Sequence, residues 1–132
     1  MAAEIEERFE AIEECYEFML AYAAQGLSSD KGSESGKQVR EFLTRAVKAL
    51  SGLTESCAEA MGGGRPAFLA VLARDARDSL AALELVLAQP AISSQLIDNL
   101  NASVHLRALL TDVFLLGEVL REQPVAALSA AS

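Results

Sequence analysis

The stretch AAEIEERFEAIEECYEFMLAYAA, residues 2–24, decides how the rest of the chain is read. Its apolar positions are Ala2, Ile5, Phe9, Ile12, Tyr16, Met19 and Ala23, which advance in alternating steps of 3 and 4. That spacing keeps one stripe on one side of an α-helix and packs it along its whole length. Glutamates at 4, 6, 7, 10, 13, 14 and 17 occupy the remaining faces, and acid in a first turn suits the positive end of the helix dipole. The pattern predicts a helix over about 2–25, ended by Gly26.

The same period recurs downstream. LSSDKGSESG, residues 27–36, is small, polar and rich in Ser and Gly, so it reads as a mobile loop. Ser35 and Gln38 have capping-box spacing, and Val39, Leu43, Ala46, Leu50, Leu53, Cys57 and Ala60 then step by 4 and 3. A second helix is expected over 36–61, with Ser51-Gly52 able to bend it and Gly62-Gly63-Gly64 ending it. Pro66 suits the first turn of a third helix, 66–88, whose stripe is Leu69, Leu72, Ala76, Ser79, Leu83 and Val86. Ser93 or Ser94 can cap a fourth, 93–123, which weak helix formers at Asn99 and Asn101 make prone to begin as two pieces. Pro124 stops it, leaving a frayed tail over 125–132. Four segments of comparable length, about 33–45 Å at 1.5 Å per residue, predict a single all-α domain. Short connections make neighbours antiparallel, giving an up-down-up-down four-helix bundle.

Composition narrows the function. With 132 residues and 52% hydrophobic side chains, the chain can bury a core without metal or disulfide. Its 19 acidic residues outnumber 11 basic ones, for a net charge of −8. Nucleic-acid binding draws its affinity from clustered Lys and Arg, so this balance argues against nucleic acid and against an anionic membrane surface. Two cysteines, Cys15 and Cys57, are too few for a secreted disulfide framework. The acidic N-terminus is unlike a leader peptide, and no apolar run is long enough to span a bilayer. A cytoplasmic location is the expectation.

No complete catalytic motif is present. His105 is the sole histidine, which leaves no second imidazole for a Glu-x-x-His pair, an HExxH site or a Cys/His zinc cluster. Its context, Val104-His105-Leu106-Arg107-Ala108, lacks the Lys and Gly expected after a phosphorylatable histidine. Ser103 lies about 200° round a helix from it, which is poor geometry for a triad. Gly62-Gly63-Gly64-Arg65-Pro66 resembles a phosphate loop only in its glycines, because it follows a helix and lacks the Lys. An axial offset of about 15 Å in an antiparallel pair keeps Cys15 from bridging to Cys57. No cofactor or metal is expected.

Two features point to surfaces. Glu6, Glu10, Glu13, Glu14 and Glu17 form an acidic face that could dock a basic protein surface. The basic residues Lys37, Arg40, Arg45 and Lys48 are expected at the far end of the neighbouring helix, leaving that acid unneutralised. The C-terminal helix is apolar round most of its circumference, and Leu109, Val113, Phe114, Leu116 and Leu120 are the expected homodimer interface. The expectation is a non-enzymatic interaction module: an adaptor, a chaperone-like factor or a regulatory subunit. Two alternatives stand beside it. Small residues at Ala46, Gly52, Ala76 and Gly117 could leave room for an apolar ligand between helices. Asp75, Asp78, Asp98 and Asp112 could do acid–base chemistry if burial shifted their pKa values.

Overall fold

A computed structural model describes residues 3–122. The described chain is all helical, with six α-helices in place of the four expected: α1 Ala3–Ala24, α2 Glu34–Leu50, α3 Leu53–Ala60, α4 Pro66–Leu87, α5 Ser94–Ala102 and α6 Val104–Glu122. The tail expected to fray, 125–132, lies outside these residues.

Both extra breaks have local causes. The expected second helix stops at Ser51, whose backbone is extended, and Gly52 turns left-handed at φ 85° to start α3. Without a Cβ, glycine takes that conformation at little cost. The expected fourth helix breaks at Ser103, which is also extended and whose hydroxyl accepts from the Leu106 amide to open α6. The break falls just past the weak helix formers Asn99 and Asn101. At the start of α2 the cap is Ser33 rather than Ser35, its Oγ accepting from the Gly36 amide at 2.9 Å. Ser93 caps α5, and Pro66 opens α4.

The core is one apolar cluster. α1 contributes Ile5, Phe9, Ile12, Cys15, Met19 and Tyr22, so the buried line runs one residue short of the expected Tyr16 and Ala23. Packing explains the shift, since α1 is covered by α2 and by α5. α2 and α3 contribute Val39, Leu43, Ala46, Leu50, Leu53 and Cys57, as their spacing predicts. α2 runs antiparallel to α1, because Phe18 stacks on Phe42 while Arg8 reaches the far end of α2. There the Arg8 guanidinium donates to the carbonyls of Ala49 (2.9 Å) and Ser51 (2.7 Å), placing a cation at the negative end of the α2 dipole. Arg45 pairs with Glu14 at 2.9 Å, and Lys48 shares a groove with Glu4, Glu7 and Glu10. Two of the four bases, Arg45 and Lys48, therefore do lie beside the acid of α1, contrary to expectation.

A polar clamp closes the opposite end. Asp30, in the loop expected to be mobile, is 8% exposed and accepts both from Arg40 Nε and from the Ile92 amide (2.7 Å). Arg40 also donates to the carbonyls of Leu87 (3.2 Å) and Gln89 (2.9 Å), where α4 ends. The guanidinium holds the Asp30 carboxyl below its ordinary range, and burial opposes it without prevailing. Gly36 lets the loop close onto α2: a Cβ there would lie 1.7 Å from the Asp30 carbonyl oxygen. Ser94 adds a second tie, donating to the Tyr22 carbonyl at 2.6 Å and accepting from the Leu27 amide at 2.9 Å.

Candidate functional site

The expected interface residues divide sharply. Leu109, Val113, Leu116 and Leu120 are buried inside their own chain, and Phe114 alone of the five is half exposed. The four are core residues because α6 packs against α4, α5 and α1, a wider arc than a bundle edge needs. Apolar surface is nevertheless left over on the outer face, where Phe114 (50%), Leu115 (54%) and Val119 (37%) face water. Leu115 and Val119 join Leu116, Phe68, Met61 and Arg65 round a groove of about 240 Å³ between α6, α4 and the turn after α3. Helical spacing decides who lines it. Leu115 and Val119 are four residues apart and so lie on one face. Phe114, about 100° away, turns instead towards Tyr16 of α1 and Asn101 and Ala102 of α5.

The acidic candidates also divide. Glu6, Glu10, Glu13 and Glu17 follow one line along α1, and the first three share a groove with Phe9 and Arg121 of α6. Partial burial raises the pKa of Glu13; Arg121 opposes this, and Glu17 and Glu10 add to it. Glu14 lies off that line, in its ion pair with Arg45.

Of the four candidate aspartates, Asp78 is half buried, Asp98 is exposed at the α1–α5 side, and Asp75 of α4 is the charged group that acts on Asp112 of α6. Asp112 is 5% exposed, and its Oδ2 has no hydrogen-bond partner. Burial first, then the hydrogen bond and charge of Asp75, push its carboxyl up to about 7. Asp112 stands at a core-facing step, three residues after Leu109 and four before Leu116, so a polar residue in an apolar seam was the legible signal. No pattern in the sequence named its partner.

The remaining candidates do not assemble a site. Ala46 and Ala76 are packed in the core, while the guanidinium groups of Arg8 and Arg121 cover Gly52 and Gly117 at 3.4 and 3.8 Å from where a Cβ would sit. Cys15 and Cys57 are free and buried, and burial pushes their thiols up to about 12 and about 11, far from a reactive thiolate. His105 is exposed, and its backbone carbonyl accepts from Ser79 Oγ at 2.9 Å. Among the described residues no group of three His, Cys, Asp or Glu is placed to hold a metal ion, and no helix is long and apolar enough to cross a membrane. Comparison with family models, curated proteins and solved structures finds no match to this chain.

Proposed function

We propose that this protein is a non-enzymatic interaction module that pairs with a second copy of itself through the outer face of α6. The observation that carries this reading is the groove of Phe68, Leu115, Leu116 and Val119, almost free of polar lining, with Leu115 and Val119 facing water. Apolar surface of this kind on a helix is stabilised when a partner removes it from water, by about 25 cal/mol per Å². The line Glu6, Glu10, Glu13 and Glu17 offers a second, acidic surface suited to a basic partner. At this groove a small-ligand reading has less support, since its volume of about 240 Å³ falls below the roughly 300–1,000 Å³ usual for ligand sites.

The six helices are read as four arms, with α2–α3 and α5–α6 each a single arm broken once. Antiparallel pairing of α1 with α2, and of α4 with α6, where Ser79 meets His105 and Phe68 shares a groove with Leu115 and Val119, supports an up-down-up-down bundle. Two free, buried thiols fit a cytoplasmic setting.

Light scattering after size-exclusion chromatography tests the pairing. A mass near twice 14.0 kDa at micromolar concentration is expected, reverting to one chain in Leu115→Glu without loss of helicity. A monomer in the unaltered protein would refute it.

A further inference from the structure

We propose that the outer face of α4 is a further self-pairing surface, on which a second copy of this chain seats its own α4 antiparallel. Ala67, Val71, Arg74, Asp78, Ala81 and Leu85 advance in alternating steps of 4 and 3, the period of a coiled-coil seam. The core stripe of α4, formed by Leu72, Ala76, Ser79, Leu83 and Val86, runs along the opposite side. Every residue of the outer seam reaches solvent: Asp78 is half buried, Val71 is 39% exposed and Leu85 is 66% exposed. Helix α4 therefore carries two seams, and its own chain covers one of them.

Charge decides what fits the other. Among the described residues no ion pair engages Arg74 or Asp78. In a parallel pair, Arg74 would meet the partner's Arg74 and Asp78 the partner's Asp78. Turned antiparallel about the middle of α4, each arginine meets the partner's aspartate, and two-fold symmetry makes the contact twice. The same placement sets Val71 against the partner's Ala81 and Leu85 against the partner's Ala67. Each larger apolar side chain thus faces a small one, which lets the two helices approach closely. A single register satisfies both charge and size.

This face is distinct from the groove at α6. Phe68, which lines that groove, lies about 100° round α4 from Ala67, so one chain can use both surfaces. Pairing at α4 is the weaker contact, because only Val71 and Leu85 are large and apolar. Arg77, exposed on the flank, meets the partner's Arg77 at the edge, where its stem lets the charge stay in water. So small a contact belongs with weak, transient encounters, and it is expected to form at about 1 mM rather than at micromolar concentration.

Sedimentation equilibrium of the Leu115→Glu chain separates this contact from the one at α6. Its mean mass should climb towards two chains at about 1 mM and return to one on dilution to micromolar concentration. Adding Arg74→Asp sets like charges against each other at both contacts and should hold the mass at one chain, as should adding Asp78→Arg. Adding both together restores opposite charges across the seam and should restore pairing. These substitutions alter solvent-facing positions, and unchanged helicity by circular dichroism shows that the fold is kept. A Leu115→Glu chain that stays single at about 1 mM would overturn the proposal, whatever the α6 face does. So would a doubly reversed chain that pairs no better than the singly reversed ones.

Discussion

Asp30 and Asp112 are both almost wholly withdrawn from water, yet the protein treats them in opposite ways. Asp30 meets the Arg40 guanidinium and the Ile92 amide, so its charge is kept. Asp112 has no such cation, and burial first, then Asp75, push its carboxyl up to about 7. Burial opposes the charged form in both, and the neighbour decides which way each resolves. One end of the molecule is therefore fastened by a complementary charge, while the α4–α6 seam holds a buried carboxyl with one oxygen unpartnered.

The sharpest way to break the comparison is to remove the cation's partner. Asp30→Ala strands part of the Arg40 fork and the Ile92 amide, and should lower stability by about 3 kcal/mol in urea unfolding near neutral pH. Arg40→Lys keeps the charge but cannot reach Asp30 and two carbonyls at once, so it should recover only part of that loss. Next in size, Gly36→Ala forces a methyl against the Asp30 backbone and should cost about 2 kcal/mol. A loss near zero would mean that the loop can back away and that the clamp is looser than its contacts imply.

Acid and base should separate the two aspartates without mutation. A lowered pKa contributes stability above the ordinary range and loses it as pH falls, so the Asp30 clamp weakens below about pH 4. Asp112 runs the other way, weakening as pH climbs through about 7. Thermal melts across pH should peak on the acid side of neutrality, between the two. A plateau extending to pH 8 would count against the opposition. Smaller still, Ser79→Ala removes a tie to the His105 carbonyl and should cost about 1 kcal/mol. Smallest is Glu14→Gln, which breaks an exposed pair with Arg45 and should change stability by about 0.5 kcal/mol or less.

The two regions also differ in how far they were legible. α6 was legible as apolar round most of its circumference, and Asp112 only as one of four candidate aspartates, although its place three residues after Leu109 and four before Leu116 could have singled it out. The clamp was hidden, because LSSDKGSESG looks like an unattached loop. Asp30 finds its partners 10 residues away in Arg40 and 62 away in Ile92. Four of the five expected interface residues lie in the core for a related reason. Apolar surplus on α6 was read correctly, but periodicity could not say how many neighbours would cover it. Leu109, Val113, Leu116 and Leu120 went to the core, and Phe114, Leu115 and Val119 were left outside.

What the amino-acid order determined alone was local: helices wherever apolar steps of 3 and 4 run, ends at Gly26, Pro66 and Ser93, and a core drawn from the stripes. These follow from the 3.6-residue turn and from backbone preferences, which need no distant partner. Tertiary structure decided which buried acid meets a cation, which does not, and which apolar residues are left facing water. Those outcomes depend on electrostatics and covered area between residues tens of positions apart, and only the folded chain brings them within reach.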